Sequence, residues 1–316
     1  MKIDLIDSEK DWFVDHPLPL SPAKYATIAV LRRTVDYAAF RTEADKYTNS
    51  VATPAHSNTS DIIERALILA SKQKAVERRH ENKILRDFIA EEDCYLKDNL
   101  CLKCPACILN GGIKAVKNEG EIAIKSRILY QTAFSILPFE SVVESITFNA
   151  VNEVTTKTGQ ALGERELVKP DTYFLSVVSI LAPTLDELKF YLFSLLQTTR
   201  YGAESRGFGI LENKLLALVF SDNEEFSALG LTMDAYEHLV SEKTEPIQYS
   251  SILDVIHDVS LARVSGKGIK RSFSKDEIIE IENALRTSAP TEAWLKGMYK
   301  KAEEFREIVL SSDKKG

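Results

Sequence analysis

All four cysteines of this 316-residue chain lie within one fourteen-residue span: Cys94, Cys101, Cys104 and Cys107, in the pattern C-x6-C-x2-C-x2-C. Nothing else in the sequence limits local structure so tightly. The first residues, MKIDLIDSEKDWF, scatter charges where an export signal needs an apolar core. No run of about 18 apolar residues occurs either. A cytosolic protein without membrane contact is therefore expected, and in that compartment thiols stay reduced. Four thiolates gathered in one loop predict a tetrahedral structural zinc site that pins an insertion too short to have its own core. The C-x2-C-x2-C portion, with Pro105 after Cys104, also matches part of an iron–sulfur ligand set, although its fourth spacing differs. Unligated thiols are the remaining alternative. Four protein thiolates leave no open coordination position, which disfavours a catalytic metal.

Hydrophobic residues make up 44% of the chain and charged residues 28%, ordinary values for a soluble globular protein. The net charge of −7 argues against a general polyanion binder, but partner choice follows where charge is placed. Ile62 to Arg86 carries seven basic residues (Arg65, Lys72, Lys74, Arg78, Arg79, Lys83, Arg86) against three acidic ones (Glu64, Glu77, Glu81). Arg263 to Lys275 has five basic residues and no acidic one, whereas Ser221 to Asp258 is strongly acidic.

Residues 1–24 are punctuated by Pro17, Pro19 and Pro22. Tyr25–Tyr37 alternates and is rich in β-branched residues, which predicts a strand. Residues 41–61 are polar and Ser/Thr-rich and read as a loop or insertion. Ala66–Ala70 is a short apolar run. Apolar residues recur at helical spacing over Ala75–Ala90, with the basic residues off that stripe. Ser126–Pro138 reads as a strand, bent or straight, and Thr147–Pro170 as a long projecting hairpin. Tyr173–Leu181 is a strand by its aromatic and β-branched content. Thr184-Leu-Asp-Glu187 fits a capping box, so a helix runs from 184 to 198. A strand follows at Ile210–Phe220. Helices are expected at Thr232–Ser241, at Ser274–Leu285 behind a second capping box, and at Pro290–Leu310. Without the insertions the order is β-α-β-β-α-β, a ferredoxin-like α+β fold with a helical C-terminal extension. That fold hosts many functions and decides none.

Between the capped helix and the strand at 210 lies TTRYGAESRGFG. Gly202, Gly207 and Gly209 give this loop backbone freedom and allow a close approach to a ligand. Arg200 and Arg206 add charges with the fork geometry that suits phosphate. The loop lacks the Lys-Ser/Thr of a Walker sequence, so a nucleotide is not its ligand. His16, His56, His80, His238 and His257 are isolated, and no GxSxG elbow occurs. Nothing in the sequence demands an enzyme.

Several segments taken in order are similar to one family: YQTAFSILPFE, TFNAVNEVTTKTGQALGERELVKPDTYFLSVVSIL and LLQTTRYGAESRGFGILENKLLALV, with the AVERRHENKILRDFI helix and the Cys94–Cys107 cluster followed by Gly111-Gly112. From about Tyr25 to Phe220 the chain resembles the backbone (Cas-seven-type) subunit of type I-D CRISPR effector complexes. The resemblance implies an RNA-recognition-type palm over 25–220. A finger-like segment at 41–61, a cysteine insertion at 91–120 and a thumb hairpin at 147–170 would interrupt it. A mostly helical region at 221–316 would follow. It also implies a non-catalytic subunit that binds a CRISPR RNA guide, forms a filament with other copies of itself, joins other effector subunits and presents the guide to target nucleic acid. Arg32, Arg33 and Arg127 would lie on or beside the palm, Asn149, Lys157, Thr158 and Gln160 in the thumb, and Arg200, Tyr201, Gly202 and Arg206 against the RNA backbone. Lys72, Lys74, Arg78 and Arg79 of the basic run complete the expected RNA contacts. A filament that reads any guide must hold phosphates and 2′-hydroxyls and leave the base edges to pairing.

Two alternatives stand beside this reading. One is a backbone subunit of the type III kind that cuts target RNA with a metal, for which Asp36 and Asp45 are the candidates. The other is a zinc-containing interaction module that binds no nucleic acid.

Overall fold

Strand β1 (Tyr25–Thr34) is the axis of the fold in the computed structural model, which describes residues 1–42, 47–88, 94–116, 120–151, 153–155, 158–241, 247–263 and 268–313. A short helix α1 (Asp4–Asp7) precedes it. After it come β2 (Ser50–Pro54), β3 (Ile62–Ile68) and the long helix α2 (Ala70–Phe88). The cysteine segment contains α3 (Pro105–Asn110) and the hairpin β4 (Gly112–Val116) with β5 (Gly120–Ile124). Then follow β6 (Ile128–Tyr130), β7 (Ala133–Ser135), α4 (Phe139–Val142) and a second hairpin, β8 (Val143–Val151) with β9 (Thr158–Val168). Strand β10 (Tyr173–Leu181), helix α5 (Leu185–Gln197) and β11 (Leu211–Ser221) come next. The remainder is α6 (Ala228–Ser241), α7 (Tyr249–Val255), β12 (Ile269–Ser272), α8 (Lys275–Thr287) and α9 (Glu292–Asp313).

Eight strands form one sheet in the order β12-β11-β1-β10-β7-β3-β2, with β6 also paired to β10, and every pairing is antiparallel. The sheet is covered on both faces. Ile28, Val30, Val178 and Ile180 point into a core shared with α5, the end of α2, α8 and α9. Their neighbours Ala29, Leu31, Leu175 and Val177 point the other way, into a core with α6 and α7. A strand buried on both faces favours apolar residues on both, which is why YFLSVVSIL reads as a nearly continuous apolar run, broken only by the buried, hydrogen-bonded Ser176 and Ser179. A third cluster joins Phe40, Ile68, Val143, Val168, Phe174 and Tyr201 at one end of the sheet.

The capping boxes at Thr184 and Ser274 are both formed, with side chain and backbone bonded reciprocally. The expected strand Ser126–Pro138 is instead two short strands, β6 and β7, along the same side of β10. Gln131 explains the break. Its side chain accepts from Ala228 N at 2.7 Å and donates to Phe226 O at 2.9 Å, which ties the strand to the start of α6. Strand β3 was expected only as an apolar run. Its Arg65 is fully buried and donates to Ser135 O, Ile136 O, Ala55 O and Thr53 Oγ1, so a charged residue occupies an inward position.

Candidate nucleic-acid interface

Helix α2 presents different chemistry on opposite faces. Inward, Glu77 is the hub of a sealed polar network. Its Oε1 accepts from Arg32 at 2.8 Å and from the Tyr201 hydroxyl at 2.9 Å. Its Oε2 accepts from the Tyr130 and Tyr191 hydroxyls at 2.8 and 2.9 Å. Arg32 also donates to Ser176 and Asn213. Burial is the largest single influence on Arg32 and works against its charge, but Glu77 together with Tyr201, Tyr191 and Tyr130 outweighs it and the guanidinium pKa is raised. The Tyr201 hydroxyl is pushed up by burial first and by Glu77 second.

Outward, Lys72, Arg79, Lys83 and Arg86 are all exposed. At 100° per residue they fall within a narrow stripe, spread over about 21 Å of helix. Among the described residues, the side chains of Lys72 and Arg79 have no hydrogen-bond or ion-pair partner. Both line a groove of about 440 Å³ bounded by α2, the segment after β1 and the glycine-rich loop, with Arg41, Phe40, Gly202 and Ala203 on its other walls. Among the described residues, its charged lining side chains, Arg41, Lys72 and Arg79, are all basic.

The glycine-rich loop takes a different role from the expected one. Gly202 has φ +86°, and a Cβ there would lie 2.6 Å from Ala39 O; Gly209 has φ +79°, and a Cβ would lie 2.0 Å from Tyr201 O. These glycines allow close approach to the chain's own backbone. Ala203 N donates to Ala39 O and Gly209 N to Tyr37 O, while Gly207 N and Phe208 N both donate to Glu204 O. Those donors are taken by the chain's own carbonyls. Arg206 is exposed, and Arg200 is exposed with one bond to Phe208 O at 3.2 Å.

Other expected contacts lie elsewhere. Arg32 and Tyr201 are enclosed in the Glu77 network and turned away from solvent. Arg127 is buried, where it pairs with Glu187 and donates to Ala182 O at 3.1 Å. Arg78 is buried, with Nη2 at 3.3 Å from Cys107 Sγ. These four side chains hold the fold together, because a buried guanidinium or hydroxyl needs partners that only the interior supplies. Arg33 is half-exposed but engaged by Asp171 at 2.6 Å and Glu212 at 3.6 Å. Lys74 donates to Ser126 Oγ at 2.8 Å, and burial lowers its pKa. Lys157 and Asp45 lie outside the described residues, and Asn149, Thr158 and Gln160 are described only as backbone of β8 and β9. Arg41 was missed. It lies beyond the end of β1, after Phe40, at the edge of a segment too polar to carry a periodic signal.

The four cysteines do converge. Their sulfurs all lie within 4.8 Å of one another. Individual Sγ separations are 3.4 Å for Cys94–Cys107, 3.8 Å for Cys94–Cys104 and 3.9 Å for Cys101–Cys107. Four sulfurs about 2.3 Å from one ion stand about 3.8 Å apart at the corners of a tetrahedron, so the group fits a single four-coordinate metal. The short C-x2-C spacings fold each loop back onto its first cysteine. Cys104 N lies 3.3 Å from Cys101 Sγ, and Cys107 N 3.4 Å from Cys104 Sγ. Hydrogen bonds from Cys101 and Cys104 lower the Cys107 thiol to about 7, against desolvation.

The family model described as Csc2 CRISPR matches residues 13–298. In fold, the chain is similar to the crystal structure of Thermofilum pendens Csc2, with a TM-score of 0.72 and 17% identity over 99% of this chain and 98% of that one. A chain of a CRISPR RNA-guided surveillance complex, pre-nicking, aligns with a TM-score of 0.52 and 12% identity, covering 88% of this chain and 99% of its own. A chain of another CRISPR RNA-guided surveillance complex gives 0.51 and 11% over the same shares. No curated protein matches the sequence.

Proposed function

The chain belongs to the Csc2 CRISPR family, and from that premise we propose that it is an RNA-binding backbone subunit of a type I-D interference complex. In this reading it lies along the guide RNA beside other copies of itself and other effector subunits, and presents the guide to target nucleic acid without cutting it. The groove carries the reading: it gathers Arg41, Lys72 and Arg79 from two separate segments against the glycine-rich loop, on an otherwise acidic protein.

The strand order supports a ferredoxin-like palm. Numbering β1, β6, β10 and β11 as the four strands of β-α-β-β-α-β gives the spatial order four-one-three-two, with α2 and α5 as the crossovers. Residues 25–220 would form the palm, with the segment at 41–61 as finger and the hairpin within 147–170 as thumb. Residues 91–120 would be a zinc-pinned insertion and 221–316 the helical extension. An RNA-recognition sheet reads bases on an open face. Here α6 and α7 cover that face, so the guide is assigned to the groove and the α2 stripe at the palm's margin. Four thiolates with no open position are the donor set of structural zinc, here Cys94, Cys101, Cys104 and Cys107.

The test is a salt titration of binding to mixed-sequence single-stranded RNA. Each lost phosphate contact lowers the slope of log affinity against log salt by about 0.7. The double variant Lys72→Ala/Arg79→Ala should therefore bind more weakly, with a slope shallower by about 1.4 and unchanged thermal stability. Arg200→Ala/Arg206→Ala should act in the same direction. Wild-type affinity and slope in both doubles would sink the assignment.

A further inference from the structure

Glu204 holds two arginines from different parts of the chain. Its Oε1 accepts from Arg41 Nη2, and its Oε2 accepts from Arg165 Nη1. Arg41 follows β1, Arg165 lies on β9, and Glu204 is in the loop between α5 and β11. Arg41 and Ala203, the residue before Glu204, both line the basic groove, which places this triad at its edge. Glu204 itself has φ +51°, a backbone conformation that costs a non-glycine residue free energy.

The arrangement is chemically specific. One carboxylate presents two oxygens and a single negative charge, and each oxygen takes one guanidinium. A phosphodiester in an RNA backbone also presents two unesterified oxygens and a single negative charge, and guanidinium forks match it equally well. We propose that Glu204 is a stand-in for a backbone phosphate, and that Arg41 of the groove and Arg165 beside it are phosphate-binding residues which it holds in position until RNA arrives. This rests on the RNA-binding reading above and extends it.

The energetics permit the exchange. The Glu204 and Arg165 side chains are 35% and 40% exposed and the Arg41 side chain 16%, so the triad is partly solvated and its Arg165 arm is weak. A phosphate from the guide can displace the carboxylate and leave Glu204 to solvent. Meanwhile the carboxylate cancels one of the two positive charges and keeps both long side chains ordered.

The experiment uses the full-length protein and labelled single-stranded RNA of mixed sequence, titrated at several salt concentrations. Arg41→Gln/Arg165→Gln should weaken binding and lower the salt slope by about 1.4. Glu204→Gln should tighten binding about two- to fivefold, because it removes a competing anion of modest strength, and should leave the slope as in wild type. Thermal melts establish that each variant is folded. If Glu204→Gln weakens binding or leaves it unchanged, Glu204 is a loop strut and the proposal is overturned. An arginine double with wild-type slope overturns it as well. If Lys72→Ala/Arg79→Ala still weakens binding in those cases, the groove reading survives alone. If the wild-type protein binds no RNA, both fall together.

Discussion

Arg32 and Glu77, from the first strand and the long helix, form an ion pair at 2.8 Å with side chains 0% and 1% exposed. Removing one partner of such a pair leaves an uncompensated buried charge, which costs about 3–5 kcal/mol. Glu77→Ala should therefore lower the unfolding free energy by roughly that amount in a urea titration. It also leaves three tyrosine hydroxyls short of an acceptor. A double change to apolar residues of similar volume, Arg32→Met/Glu77→Leu, should recover a large part of the loss. A stability close to wild type in Glu77→Ala would mean that the network is not closed in solution.

Metal removal should be felt beyond the cysteine loop. Elemental analysis is expected to give about one zinc per chain. The Cys94–Cys107 segment contributes Leu100, Leu102, Ile108 and Leu109 to the main core, and Arg78 of α2 faces Cys107 Sγ. Chelation, or Cys107→Ser, should thus lower the melting temperature and weaken RNA binding, because α2 carries the basic stripe. Replacing Arg78 by Met removes the cation beside the thiolates. It should weaken zinc retention by about 10- to 100-fold in a competition with a chromogenic chelator.

Glu81 predicts a pH dependence. Burial, helped by the nearby Glu77 charge and opposed by a hydrogen bond from Asn110, pushes its carboxyl from 4.5 up to about 8. Between those values the folded chain keeps a proton that the unfolded chain has released. This group's contribution to stability is complete below pH 4.5 and is lost as pH rises toward 8, at up to about 1.4 kcal/mol per unit. Glu81→Gln should flatten the stability profile across that window. A variant profile parallel to wild type would refute the assignment.

Gly209→Ala tests the closure of the glycine-rich loop. A side chain in this left-handed conformation costs about 1–2 kcal/mol before any collision. The added carbon would also meet Tyr201 O at 2.0 Å, and Tyr201 is part of the Glu77 network. The expected result is a loss larger than the conformational cost alone, read from denaturant unfolding. Gly163→Ala, where a Cβ meets nothing within 4 Å, is the matched control.

What could be read from the sequence was what local physics decides. Thr184 and Ser274 announce their helices because a cap and its partner are three residues apart. Tyr173–Leu181 is legible because a strand buried on both faces is mostly apolar on both. The four cysteines betray their cluster by spacing alone. Arg32, Arg78 and Arg127 show the opposite case. Each is a basic residue near an expected RNA surface, and each is buried against a partner, Glu77, Cys107 or Glu187, that is distant in sequence. Composition assigns arginine to solvent by default, and only the packed fold shows an acceptor waiting inside. The groove was half legible: Lys72, Arg79 and Gly202 were expected contacts, while Arg41 carried no signal in a polar segment.

The closed loop has one more consequence, for the speed and cost of binding. Backbone bonds from Tyr201 to Gly209, from Ala203 to Ala39 and from Gly209 to Tyr37 already fix its course. Ordering a residue's backbone costs about 1–2 kcal/mol, and a mobile loop would bear that cost at each encounter with RNA. Here it is settled when the chain folds. Association should then resemble the docking of a rigid wall, with only long cationic side chains left to choose their rotamers. In the proposed assembly, copies that engage one strand in succession would gain from such a wall, because none would have to wait for a loop to find its shape.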